Sequence, residues 1–197
     1  MKIASLFAVS ALALAAAGSA NAALIDFEST PSGTYSGLTF GDVTVSFLAG
    51  SGAFEVQTQF PDLPVSGQVL ISYFTNPGPG SFQAVFGSGA NTVSIDVSDY
   101  SPSDTDDVHL VAFDSANNVL DTANFTIPGS GPGTTLTVSS ATSIARVEWN
   151  ETGDFEGAVY WDNLNFAVTA VPEPETYALM ALGLAVTGFA ARRRRQG

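Results

Sequence analysis

Between residues 23 and 168 apolar and polar side chains alternate with a period of two. In NTVSIDVS (91–98), Val93, Ile95 and Val97 interleave with Ser94 and Asp96, and DVTVSF (42–47) sets Val43, Val45 and Phe47 against Thr44 and Ser46. VHLVAF (108–113), NVLDTANF (118–125), TTLTV (134–138), IARVEW (144–149) and AVYWDNLNF (158–166) continue the pattern. This is the periodicity of strands with one buried face. No window of helical length carries an apolar stripe. NPGPGS (76–81), GSGAN (87–91), DSANN (114–118) and PGSGPG (128–133) read as turns, and DSANN, between two alternating runs, reads as a hairpin connection. Short strands, Gly/Pro turns and no crossover helix predict an all-β fold, one antiparallel β-sandwich over residues 23–170. No fixed repeat supports a propeller or solenoid.

The period breaks at both ends. Lys2 precedes an apolar run over residues 3–17, and Ala20-Asn21-Ala22 offers the small-x-small pattern of a signal-peptidase site. Residues 1–22 are therefore expected to be a signal peptide, cut so that the mature chain begins at Ala23. At the other end Pro172-Glu173-Pro174 is rigid and extended, because each proline fixes φ and biases its predecessor. Residues 177–191 follow as 15 uncharged, mostly apolar positions, then Arg192, Arg193, Arg194 and Arg195. The apolar stretch is short for a transmembrane helix, although thinning and snorkelling accommodate such lengths. A basic cluster stays on the cytoplasmic side, so the domain is expected outside the inner membrane.

That order of parts over residues 171–197 resembles the PEP-CTERM sorting signal, made of a Pro-Glu-Pro motif, an apolar helix and an arginine-rich end. The resemblance implies recognition by exosortase, a membrane protease-transpeptidase that removes the tail, after a transient stay in the membrane. It also implies export to the cell surface or extracellular matrix of a bacterium that makes exopolysaccharide. The other reading of the tail is a permanent anchor with the same topology.

Charge narrows the partners. Once signal and tail are set aside, Arg146 is the only Lys or Arg in residues 23–171, against 17 acids, a formal charge of −16. Nucleic acid is excluded as a partner, because its phosphates need basic contacts. An acidic surface suits an extracellular medium and divalent cations. The chain has no cysteine, so the domain depends on its core rather than on disulfides.

The first and last strands carry the candidate chemistry. In LIDFES (24–29) Ile25 and Phe27 face one way, Asp26 and Glu28 the other. A regular strand over 158–166 would put Asp162 on the apolar face with Leu164 and Phe166, where a carboxylate is costly unless paired or ligating. A bulge at Asp162-Asn163 would instead turn Val159 and Trp161 inward with those two residues. The overall layout and the terminal strands resemble jelly-roll carbohydrate-binding-module and galactose-binding-like domains. That resemblance implies paired first and last strands and a structural calcium ion near Glu28 and Asp162, with hydrogen-bonded or solvent-facing carboxylates as the alternative. SDYSPSDTDD, with Asp99, Asp104, Asp106 and Asp107, lacks the EF-hand spacing and reads as a solvated turn.

Nothing supports a nucleophile: residues 23–171 hold no Cys, no Lys and no GxSxG, and His109 is a lone strand histidine. Glu148, Glu151 and Glu156 leave a carboxylate-based glycosidase open, although Glu151 and Glu156 flank a Gly153 turn and are expected to face water. A non-catalytic module is the expected class. It either binds exopolysaccharide, through aromatics among Tyr35, Tyr73, Phe74, Tyr100, Trp149 and Trp161, or builds a surface coat without glycan affinity. An exposed aromatic row favours the first and buried tryptophans the second.

Overall fold

The computed structural model describes residues 21–48, 52–62, 64–72, 81–99, 105–129, 132–153 and 159–168, with Gly183, Leu184 and Arg192. Residues 22–168 form one compact unit. Its strands are β1 (Asn21–Ile25), β2 (Gly33–Tyr35), β3 (Gly37–Phe40), β4 (Val43–Phe47), β5 (Phe54–Asp62), β6 (Val65–Ser72), β7 (Phe82–Asp99), β8 (Asp106–Phe113), β9 (Val119–Ile127), β10 (Thr134–Gly153) and β11 (Val159–Val168). No helix occurs among the described residues of this unit. The expected signal helix lies outside the described residues, and so does the C-terminal span except for Gly183, Leu184 and Arg192, which are helical. Among the described residues no helix is long and apolar enough to cross a membrane.

The ladder runs unbroken in the order β2-β5-β6-β11-β7-β10-β8-β9, with β3 and β4 joined on to β7 and with β1 on β11. Every strand pair with a resolved register is antiparallel. The pairing of β1 with β11 is what the jelly-roll resemblance implies. Two expected boundaries differ. GSGAN is no turn: β7 runs through it, with Gly89 at φ +72, where a Cβ would lie 2.1 Å from Ser143 Oγ. Likewise TTLTV and IARVEW belong to the single strand β10, whose register against β7 shifts on either side of Ile144. Glycine and serine supply local bends there, and pairing along both long strands overrides the turn signal.

The core joins inward side chains from nearly every strand, among them Val43, Val45, Phe54, Leu70, Phe82, Ile95, Leu110, Val147, Trp149 and Trp161. Trp149 stacks on Phe82 at 5.5 Å between centroids, and Trp161 lies 6.4 Å from Trp149. Each such side chain contributes on the order of 2–3 kcal/mol through its burial, in a chain with no disulfide. The DSANN hairpin forms as expected. Asp114 accepts hydrogen bonds from the amides of Ala116 and Asn118, each at 2.8 Å, while Asn117 takes φ +66.

In β11 the bulge reading holds and the regular one is overturned. The register against β7 shifts between Asp162 and Asn165, and Asn163 sits at φ +50. Val159, Trp161, Leu164 and Phe166 therefore all reach the main core. Tyr160 joins Val65, Val69 and Ile71 in a second apolar cluster, and Asp162 follows Tyr160 on that opposite side.

Candidate functional sites: an acidic seam and a polar sheet face

Glu28 and Asp162, the pair the jelly-roll resemblance implies, accept from neighbouring amides of β6, and the structure adds Asp96. Asp162 stands opposite Asp96 in the β11–β7 register and is 1% exposed. Like charges directly across a sheet oppose each other. Asn163 mediates between them: its amide donates to Asp162 Oδ1 at 2.7 Å and its Nδ2 to Asp96 Oδ2 at 2.9 Å. Thr135 Oγ1 donates to Asp96 Oδ1. The backbone of β6 donates to the other two carboxylates, Ser66 N to Asp162 Oδ2 and Gln68 N to Glu28 Oε1, both at 3.2 Å. Between them Gly67 has φ +79, and a Cβ there would lie 1.8 Å from Glu28 Oε1. Phe27, beside Glu28, is also left-handed at φ +56, a cost offset by its buried ring packed edge-on against Phe40.

Burial pushes the Asp162 carboxyl up to about 6; the amides of Ser66 and Asn163 pull the other way, and the charges of Glu28 and Asp96 add to the rise. The charged neighbours acting on it are thus both acids. The donor set is oxygen only and, among the described residues, no basic group counters it, which suits a hard cation such as calcium better than zinc. Among the described residues no three acidic, Cys or His side chains converge as a cage. An ion held by Glu28 and Asp162 would draw its remaining ligands from backbone carbonyls and water.

Two further acids depart from expectation. Asp106 belongs to no solvated turn: it opens β8 and is fully buried, having the inward parity of Val108, Leu110 and Ala112. Asp107 does face outward and accepts from Thr126 Oγ1 at 2.6 Å, Asp99 closes β7, and Asp104 lies outside the described residues. Glu151, expected in water, is also fully buried, because β10 continues past it with the inward parity of Val147 and Trp149. It accepts from Ser72 Oγ and from the Val159 amide, both at 3.0 Å. Glu148 projects from the opposite side of β10, so these two carboxylates do not flank a common site; Glu156 lies outside the described residues.

The opposite parity of β10 builds a polar face. In register across the strands run Ser46, Gln83, Glu148, Val111 and Thr122, and beside them Asn150, His109 and Asn124. Gln83 Nε2 donates to Ser46 Oγ at 3.1 Å, and His109 Nδ1 shares a 2.7 Å hydrogen bond with Asn124 Oδ1. Arg146 pairs with Glu148 at 2.8 Å, lies 4.0 Å above the Phe113 ring and donates to Asn117 Oδ1. A cleft of about 150 Å³ opens on this face, lined by Leu48, Ser81, Val111, Glu148, Trp149 and Asn150. The sequence singled out His109 and Arg146 without placing them together; that they share a face follows from the β8–β10 register.

The aromatic candidates disperse. Trp149 and Trp161 are buried, Tyr35 is half-buried with its hydroxyl donating to Pro31 O at 2.7 Å, and Tyr73, Phe74 and Tyr100 lie outside the described residues. Of the processing residues, Ala22 and Ala23 are exposed in β1 and Arg192 is exposed, whereas Ala20, Pro172, Glu173, Pro174 and Arg193–Arg195 lie outside the described residues.

No curated protein matches the chain. Among solved structures it is similar to a DUF4465 family protein from Bacteroides caccae, at TM-score 0.51 and 9% identity over 74% of this chain and 98% of that one. It is similar to the K2 cleaved adhesin domain of Lys-gingipain at TM-score 0.51 and 15% identity, over 74% and 99% of the two chains. A family 29 carbohydrate-binding module from Piromyces equi aligns at TM-score 0.46 and 10% identity, over 77% and 92%. At these identities the likeness is one of fold. Residues 170–195 match the family described as the PEP-CTERM protein-sorting motif. The chain thus carries a PEP-CTERM sorting motif after an all-β antiparallel sheet domain, and the motif implies an exported, exosortase-processed protein of the cell surface.

Proposed function

We propose that this protein is a non-catalytic surface or matrix module that exosortase releases from the inner membrane and that associates with exopolysaccharide through its polar sheet face. The observation that carries the reading is the cleft beside Glu148 and Asn150, set in rows of hydroxyl, amide and imidazole groups on a domain addressed to the surface. Such groups match the hydroxyls of a sugar without a catalytic pair. A glycan-binding screen of the exported protein, with and without calcium, tests it. Binding should weaken roughly tenfold in Asn150→Ala, the loss of about one good hydrogen bond, at an unchanged melting temperature. Absence of binding to every glycan would favour the second reading, a coat protein without glycan affinity. The burial of Trp149 and Trp161 supports that second reading, since neither ring is available for stacking on a sugar.

Two parts of the proposal are checked separately. Mass spectrometry of the exported protein is expected to find an N-terminus at Ala23 and a C-terminus near Pro172–Pro174; a secreted chain retaining Arg192–Arg195 would refute processing. A calcium ion at Glu28 and Asp162 is expected to raise the melting midpoint by several degrees over chelator. Binding to the native state alone stabilises by roughly 2.7 kcal/mol at a hundredfold excess over Kd. An unchanged midpoint in millimolar calcium would remove the ion from the account.

A further inference from the structure

The edge of β11 that faces away from β7 is shared. β6 occupies one part through two register pairs, Tyr160 with Ile71 and Trp161 with Leu70, and β1 also pairs with β11. Then β11 bulges at Asp162-Asn163, and the β6–β11 ladder stops. In a strand, alternate amides point to the same edge. The edge amides that follow Leu70 along β6 are therefore those of Gln68 and Ser66. Glu28 and Asp162 accept them one after the other. Gly67 is the residue that lets the Glu28 carboxylate lie against the β6 backbone, because any side chain would occupy its place. The left-handed residues Phe27, Gly67 and Asn163 turn the three segments that meet here.

Among the described residues, β2 and β5 connect to the rest of the sheet only through β6. We propose that β2, β5 and β6 form a hinged flap, fastened to β11 by two ladder pairs and the Asp162 carboxylate and to the turn after β1 by the Glu28 carboxylate, the two carboxylates acting as a two-toothed clip in place of a strand. The flap packs Phe54, Val56 and Leu70 onto the core, so its opening is a local event of intermediate cost. The clip sets how often it opens. Glu28 is exposed and makes its bond at the surface, whereas Asp162 is buried beneath β6, which makes Glu28 the first tooth to release.

Hydrogen–deuterium exchange of the exported protein, read by mass spectrometry in chelator, tests this inference without reference to any glycan. Peptides from β5 and β6 should exchange faster than those from β7 and β10. Glu28→Ala should accelerate β5 and β6 roughly tenfold, the loss of one hydrogen bond to a charged acceptor, while leaving β8 and β9 unchanged. Glu28→Gln keeps the Oε1 acceptor and should restore most of the protection. The flap is refuted if β5 and β6 exchange in step with β7, if Glu28→Ala leaves them unaltered, or if that substitution accelerates all strands equally.

Discussion

Acidifying the exported protein from about pH 7.5 to pH 5 in calcium-free buffer is expected to raise its melting temperature by several degrees. The group responsible is Asp162, whose carboxyl is pushed up to about 6 by burial and by the charges of Glu28 and Asp96. In the unfolded chain an aspartate titrates near 3.9. A folded pKa above the unfolded one means that the folded state binds the proton more tightly. The stabilisation is then fully present below about pH 4 and is lost as pH rises through about 6. A shift of this size corresponds to roughly 3 kcal/mol, of which about half is recovered by pH 5. For a domain of this length that half amounts to roughly 3–6 °C. Asp162→Asn should reproduce part of the gain at neutral pH: it carries no charge opposite Asp96, but its one carbonyl oxygen accepts from Ser66 or from Asn163 and not from both. In that variant the rise between pH 7.5 and 5 should vanish. Calcium held by Glu28 and Asp162 would oppose protonation and flatten the same profile. Below about pH 4 the trend reverses for other groups: the Asp42 and Asp114 carboxyls are lowered, chiefly by hydrogen bonds from Ser88 and Asn118, and their contribution is lost as they protonate. A melting temperature that falls steadily from pH 7.5 to 5 would contradict the account of Asp162.

Trp149→Ala is expected to cost about 3–5 kcal/mol, the usual range for removing a buried large aromatic. The residue is 1% exposed, stacks on Phe82 with an interplanar angle of 4° and adjoins Trp161. Deleting it opens a cavity where β7, β10 and β11 meet, and partial collapse recovers only some of the loss. Denaturant melts should show the unfolding free energy falling by that amount, together with loss of near-ultraviolet dichroism from the Phe82–Trp149–Trp161 group. If Trp149 served instead as a platform for sugar rings, its replacement would abolish glycan binding at a nearly constant midpoint. The two outcomes differ in which measurement moves.

The fold was legible where the signal is local. Alternation sets Val43, Val45, Val93, Ile95 and Val97 against polar residues, and each is buried. The DSANN turn carries its own Asp114 cap and closes between β8 and β9 as the residues suggest. Where a glycine cluster lay in a long paired strand, local reading failed, because Gly89 serves equally well as a turn residue and as a bend inside β7. Glu151 was misjudged for a related reason. Charge next to a turn implies water, yet β10 extends to Gly153, and Ser72 and the Val159 amide supply the partners that make burial tolerable.

By itself the sequence determined the class and the address. Period-two alternation without a helical stripe leaves only sheets, and a processing signal is contiguous in the chain, so Pro172-Glu173-Pro174, the apolar stretch and Arg192–Arg195 can be read in order without a fold. The tertiary structure alone decided which side each β11 residue takes, because a one-residue bulge inverts every side chain after it. It alone placed Asp96 opposite Asp162, set two carboxylates against consecutive edge amides of β6, and brought His109 and Arg146 to one face. These are register facts. Register depends on which strands meet and on where a bulge absorbs a residue, and both are settled by packing between segments distant in the chain.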